Sequence, residues 1–237
     1  MTPPAGPGTL ASSSVRTVST RDDADLKFDF STRIRQPDFM ILEGIVTTRD
    51  SHGTVNVAAM GPIVGEGMRS LLLRPYQSTT TYQNLKAHPE GVFHIVDDVE
   101  LLVRSALNLF DAPPAMVPTS EISGSVLADS CRWYEFRVTE LDDSRERTEI
   151  QAEIVHTGSL RDFLGFNRAK HAVIEYAILA SRLFMLDEAD VARHYGEFRT
   201  ILEKTGSPQE FRAFELVTDY VIKQWPHFRQ TVTSLNS

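Results

Sequence analysis

The chain has 237 residues, a formal net charge of −8 and a hydrophobic fraction of 41%, enough for one large domain or one medium domain with an appendage. The acidic balance argues against general affinity for nucleic acid or anionic membranes, both of which reward a basic surface. No apolar run reaches the roughly 18 residues that a membrane span requires.

Met1 to Thr20 is rich in Pro, Gly, Ser, Thr and Ala and has no apolar periodicity. Such a segment buries too little surface to offset its ordering entropy, so 1–37 reads as a disordered tail and lead-in. It lacks the apolar stretch of a secretory signal; its shortage of acids leaves a targeting peptide as the alternative. The ordered chain is expected to begin at Asp38, with a β domain over 38–160 and a helical region over 161–237 packed on it.

Met40 to Thr48 is apolar and β-branched, and Thr54 to Met60 alternates. The turn Arg49-Asp-Ser-His-Gly53 joins them as a hairpin, with Gly53 free to take positive φ. In the second strand Val55, Val57 and Ala59 face one way, and Asn56, Ala58 and Met60 the other. A loop with three glycines spans Gly61 to Gly67, and a third strand covers Met68 to Arg74. Pro75 to His88 reads as a loop leading into a short helix, with Thr80 and Gln83 spaced as a capping box. Val92 to Val96 is a fourth strand, and Val99 to Phe110 has helical apolar spacing. Ala112 to Ser120 is a proline-containing loop.

Cys131 to Leu141 and Thr148 to His156 alternate as an antiparallel pair. Tyr134, Phe136 and Val138 of one and Ile150, Ala152 and Ile154 of the other are expected in the core. Cys131, the single cysteine, excludes an internal disulfide and reads as a small buried residue; the lack of a disulfide framework fits a reducing, cytoplasmic setting. Helices follow over Arg168 to Leu186 and Asp187 to Thr205, and a third starts at Ser207-Pro-Gln-Glu210.

The chemistry concentrates in two segments. Ser78, Thr79, Thr80 and Thr81 stand together at a helix N-terminus, where free N–H groups and the helix dipole accept an anion; Arg74 adds fixed positive charge. Ordinary helix capping accounts for the same residues. In the second segment Asn56, Ala58, Ala59 and Gly61 are small or polar, suiting close approach of a planar group to a strand backbone; a plain hairpin is the alternative. Arg168, His171, Glu175 and Arg182 share a helix face, either as part of a ligand pocket or as solvated surface. The seven histidines form no metal motif, and GxSxG, GxGxxG and Walker patterns are missing, so no metal is expected.

In order, ILEGIVTTRDSHGTVNVAAMGP, RPYQSTTTYQNL and GVFHIVDD resemble the FMN-binding split barrel of flavin reductase-like and pyridoxamine-phosphate-oxidase-like proteins. With GFNRAKHAVIEYAILASRL, over Gly165 to Leu183, the chain more closely resembles the DUF447 family from about Asp38 to Trp225. The resemblance implies a mainly β fold with appended helices (α+β), a split β-barrel of the FMN-binding type. It implies Asn56, Val57, Ala58 and Ala59 near the flavin ring. Arg74, Gln77, Ser78, Thr79 and Thr80 fall near the ribityl-phosphate, and Asn84 beside the chain. It further implies an FMN-dependent oxidoreductase, with a hint of pterin-linked one-carbon metabolism, and a homodimer with FMN near its interface. A non-catalytic flavin carrier or sensor, and a barrel turned interaction module without cofactor, are the other expectations.

Overall fold

The computed structural model describes residues 40–235; the tail expected over 1–37 lies outside the described residues. Ten strands and six helices occur among the described residues: β1 (Met40–Ile41), β2 (Gly44–Arg49), β3 (Val55–Met60), β4 (Ile63–Val64), β5 (Ser70–Leu73), α1 (Thr80–Ala87), β6 (Glu90–Ile95), α2 (Val99–Leu107), β7 (Met116–Pro118), β8 (Ser125–Leu127), β9 (Arg132–Asp142), β10 (Glu149–Ser159), α3 (Arg168–Ala180), α4 (Glu188–Thr205), α5 (Pro208–Gln224) and α6 (Phe228–Leu235). Eight strands form one sheet in the order β1-β4-β5-β10-β9-β6-β2-β3, and β7 pairs with β8 apart from it.

The connections force this sheet to curl. β1 and β2 lie toward opposite edges but are joined by only Leu42 and Glu43; β3 and β4 are likewise joined by Gly61 and Pro62. A two-residue link reaches roughly 11 Å, so the edges must approach one another. Leu42 N–H donates to the Pro62 carbonyl at 3.1 Å and stitches the two crossings together. The result is a half-closed barrel, the split-barrel architecture.

The expected strand from Met40 to Thr48 is therefore two strands. The break falls at Leu42 and Glu43, and β2 resumes at Gly44, where a Cβ would lie 2.3 Å from the His94 carbonyl and 2.6 Å from the Phe93 ring. Three further corrections arise. The third strand starts at Ser70, after a 3₁₀ turn over Glu66–Met68. α3 ends at Ala180, and a separate 3₁₀ turn covers Leu183–Met185. The hairpin β7–β8 and helix α6 were not anticipated.

Val46, Leu71, Leu73, Phe93, Tyr134, Phe136 and Ile150 fill the barrel interior. Ile45, on the opposite face of β2, packs with Val96, Leu102 and Leu127. Burial on both faces explains why β2 is apolar without clean alternation. A second core joins Val99 and Val103 of α2 to Val173 and Tyr176 of α3, Val191 and Tyr195 of α4, Phe214 and Val217 of α5, and Phe228 of α6. Polar bonds fasten barrel to helices. The Asp97 carboxylate accepts from Arg161 at 2.5 Å and from the Leu164 N–H at 3.1 Å, and Lys170 donates to the Asp97 carbonyl. These donors hold the Asp97 carboxyl at about 2 although burial alone would raise it. Cys131 is buried, and desolvation, then the nearby Asp97, push its thiol up.

His94 sits fully buried between strands. Its Nδ1 meets the Ile45 carbonyl at 3.0 Å and its Nε2 meets the Leu127 N–H at 3.1 Å. This pairing needs a neutral ring protonated at Nδ1, and burial lowers the pKa from 6.5 to about 4. The folded pKa is depressed, so the stability is complete above the unfolded value. It is lost as pH falls from 6.5 towards 4, by about 3 kcal/mol in total. Denaturant titrations from pH 7 to pH 4 are expected to show this slope in the wild type and a correspondingly shallower one in His94→Gln; equal slopes would contradict the assignment.

The helical core contains a polar defect. Tyr176 is fully buried, with its ring 4.8 Å from Phe214 and 6.0 Å from Tyr195 between centroids. Its hydroxyl lies against Thr218 without a well-formed hydrogen bond, while the Thr218 hydroxyl donates to the Phe214 carbonyl. An unsatisfied buried hydroxyl costs about 1–3 kcal/mol. Tyr176→Phe is accordingly expected to keep or raise the melting temperature; a drop of several degrees would show that the hydroxyl is satisfied.

Candidate functional site

β3 is an edge strand: it pairs with β2 in register Thr48↔Asn56 to Gly44↔Met60, and its other side has no partner strand among the described residues. Alternate N–H and C=O groups therefore point away from the sheet, an arrangement that proteins normally cover or block. Val57 and Ala59 pack toward Leu102, Leu127 and Ile174, whereas Met60, on the opposite face, packs against the barrel core. Asn56 Nδ2 donates to the Thr81 hydroxyl at 3.1 Å. That bond joins the small-residue strand to the first turn of α1, so the two segments singled out in the sequence lie on one surface.

The start of α1 is held from several sides. Thr79, with extended backbone, is its N-cap, and its hydroxyl accepts from the Tyr82 N–H at 3.3 Å. The expected Thr80–Gln83 capping box does not form: Thr79 is the N-cap, and Thr80 is already helical and exposed. Tyr82 and Lys86 both donate to the Asp143 carboxylate at 2.7 Å, clamping α1 to the loop between β9 and β10. Lys86 and then Tyr82 hold the Asp143 carboxyl below its usual range. A helix start fixed this firmly presents its unpaired N–H groups at constant positions.

The expected contact residues fall into two groups. Ser78 and Thr80 are exposed, Arg74 is half-buried, and no ion pair of the Arg74 guanidinium occurs among the described residues. Ser78 and Thr79 immediately precede α1, and Thr80 is its first residue. Gln77 and Asn84 have scaffold contacts instead. The Gln77 amide donates to the carbonyls of Asp143 at 2.8 Å and Arg145 at 2.9 Å. Asn84 is buried and donates to the Thr48 hydroxyl at 3.1 Å, fastening α1 to β2. Neither side chain has its amide donors turned to an open surface. Thr81, absent from the expected contact residues, is the hydroxyl that reaches β3. Its membership of the Ser78–Thr81 cluster was the available signal.

A separate cavity of about 680 Å³ opens where β1 meets β2, beside the ends of β6 and β10, the start of β9 and one face of α3. His171 and Glu175 line it, which resolves part of the polar stripe on α3. Asn167 instead caps α3 by accepting from the Lys170 N–H at 3.1 Å, and Lys170 lies 3.8 Å from Glu210. No group of three or more potential metal ligands occurs among the described residues.

The described residues thus form a split barrel whose edge strand β3 is bonded to the first turn of α1. The chain belongs to the DUF447 family: residues 42–161 match the N-terminal domain of this family of unknown function, and residues 167–219 match its second domain. Among solved structures, an FMN-bound DUF447 protein of Methanosarcina mazei is similar at 23% identity and a TM-score of 0.63, covering 76% of this chain and 94% of that one. A 2-nitrobenzoate 2-nitroreductase of Pseudomonas fluorescens matches at 19% identity and a TM-score of 0.43, covering 50% of this chain and 64% of that one. The flavin reductase of a Pseudomonas putida styrene monooxygenase matches at 15% identity and 0.42, covering 49% and 78%. No curated protein matches the sequence.

Proposed function

We propose that this chain binds FMN and acts as an FMN-dependent oxidoreductase. The observation that carries the reading is the 3.1 Å bond from Asn56 to Thr81, which makes the open edge of β3 and the α1 N-terminus parts of one surface. A planar ring carrying a phosphate tail needs both. The phosphate would rest on Arg74, Ser78, Thr79 and Thr80 and on the first N–H groups of α1. The ring would lie along Asn56, Val57, Ala58 and Ala59, bonded chiefly by backbone groups. The FMN bound by the Methanosarcina mazei protein of the same family supports this choice. When bound, FMN supplies the hydride or single-electron chemistry, and the protein supplies position and exclusion of water.

The phosphate reading is tested by comparing FMN with riboflavin, which has the same ring but no phosphate. FMN is expected to bind about 100-fold more tightly, as one or two charge-assisted contacts warrant; equal affinities would remove the helix site from the account. Turnover is tested by anaerobic mixing of the FMN-loaded protein with NADH, NADPH and a tetrahydropterin. Bleaching of the flavin band by one of them supports an oxidoreductase, and inertness to all three favours a flavin carrier.

We also propose a homodimer located in the cytoplasm. Leu164, Phe184 and Met185 are 82%, 85% and 71% exposed, large apolar side chains that a second copy of the chain would cover. No helix among the described residues is long and apolar enough to cross a membrane. Light scattering of the purified protein should give twice the 26.6 kDa chain mass.

A further inference from the structure

We propose that the 680 Å³ cavity between the barrel mouth and α3 is a second binding site, which takes an organic cation: an apolar or aromatic body carrying a protonated amine or amidinium. Its volume lies within the roughly 300–1,000 Å³ of small-molecule pockets, and it is built from elements other than those proposed to hold FMN.

The walls set the body of the ligand. Leu42, Ile95, Ile174 and Ile178 give an apolar lining. At the mouth, Phe163 and Phe166 lie edge to face at 6.4 Å, and Phe166 stacks on His171 at 5.9 Å. Phe166 is 92% exposed, so a large aromatic face stands open to solvent at the rim of an apolar cavity. A flat or apolar ligand would cover it.

The charges set the head group. Three carboxylates, those of Glu43, Asp162 and Glu175, line the cavity against two guanidinium groups, those of Arg132 and Arg161. Arg161 is already paired with Asp97 at 2.5 Å and donates to the Asp129 carbonyl at 2.9 Å. That leaves three acids against Arg132, with Arg182 nearby as a further cation acting on Glu43. Neither Glu43 nor Glu175 has an ion pair within 4.0 Å among the described residues. Partial burial, then repulsion from Glu175, push the Glu43 carboxyl above its usual range, with Arg182 opposing. Two neighbouring acids beside an apolar wall are electrostatically unfavourable alone, and a bound cation relieves both.

A Cβ on Gly61 would lie 2.7 Å from Glu43 Oε1, so the glycine after β3 leaves room for this carboxylate at the crossing of the two strand connections.

The test uses the full chain and two probes of one shape: 1-naphthylmethylamine, protonated at pH 7, and neutral 1-naphthylmethanol. Calorimetric titration is expected to show the amine binding about tenfold more tightly, the effect of one charge-assisted hydrogen bond. In E43Q/E175Q that preference should vanish while the alcohol's affinity remains. Ile178→Trp, which fills the cavity without removing charge, should abolish both. Retained FMN content in each variant separates this site from the flavin site. Equal affinities in the wild type, no binding of either probe, or amine binding unaffected by Ile178→Trp would overturn the proposal. So would a second copy of the chain found filling the cavity.

Discussion

Arg74→Ala is expected to weaken FMN binding by about 30-fold, with little change in melting temperature. Arg74 is half-buried and its guanidinium forms no ion pair among the described residues, so its removal breaks no internal ion pair. A charge-assisted contact to phosphate contributes about 1.5–3 kcal/mol, or roughly 10- to 150-fold in affinity. Ser78→Ala with Thr80→Ala removes two neutral donors that are exposed in the free protein, and about another tenfold is expected. Riboflavin affinity should be unchanged in both variants. That split between FMN and riboflavin, read by fluorescence quenching, distinguishes a lost phosphate contact from a disturbed fold. A uniform loss for both ligands would mean that Arg74 acts on the scaffold.

The second large effect concerns stability. Glu135 is fully buried on β9 opposite His156 and forms no ion pair within 4.0 Å among the described residues. Its carboxylate accepts from the backbone N–H groups of Ser120 and Glu121 at 2.7 Å each, from that of Ile122 at 3.2 Å, and from the Trp133 indole at 3.2 Å. Burial alone would raise its pKa, but these donors bring it below the usual 4.5. One side chain thus satisfies the turn between β7 and β8. Neighbouring bonds anchor the same turn: Ser123 N–H to Glu90 at 2.9 Å, Arg137 to the Glu121 carbonyl at 2.8 Å, and Thr47 to the Ser125 carbonyl at 2.6 Å.

Glu135→Ala leaves three backbone donors and an indole without an acceptor, and is expected to cost about 3–5 kcal/mol. Glu135→Gln, which keeps one acceptor oxygen, should cost about half as much. The folded pKa is depressed, so the contribution is complete above 4.5 and is lost as pH falls through the lower folded value. Urea unfolding near pH 7 measures the difference directly. A change below about 1 kcal/mol for Glu135→Ala would show that water replaces the carboxylate without penalty.

Much of the barrel was legible because its signals are local. The turn expected at Arg49 to Gly53 forms as read: Asp50 accepts from the N–H groups of His52 and Thr54 at 2.8 Å, and Gly53 takes a φ of +86°. β9 and β10 alternate, and Tyr134, Phe136, Ile150 and Ala152 are buried as expected. Val138 and Ile154 are only half-buried; register shifts at Gln151/Ala152 and Ile154/His156 interrupt the pairing there. The start of α5 was the plainest signal, with Ser207 and Glu210 forming the full capping box.

What was illegible depends on contacts distant in sequence. Nothing in MILEGIVTT marks the break at Leu42 and Glu43, because there the chain crosses from β1 to β2 on the far side of the sheet. β7 and β8 have three residues each, too few to show a period. The site was half visible. The hydroxyl cluster pointed to the start of α1, and small residues pointed to β3. The sequence did not show that Gln77 and Asn84 are spent on the scaffold or that Thr81 makes the bridge. The cavity was foreshadowed only by His171 and Glu175; its other walls come from β1 and its link to β2, and from β6 and β9, distant in sequence from α3.

The account's central claim is that β3 and the start of α1 together hold FMN. It is tested most directly by the absorption spectrum of the purified full-length protein, followed by mass identification of the ligand released on denaturation. The expected result is a pair of flavin bands and release of FMN at close to one per chain, with any unloaded fraction restored by added FMN. A colourless protein with no measurable affinity for added FMN would contradict it.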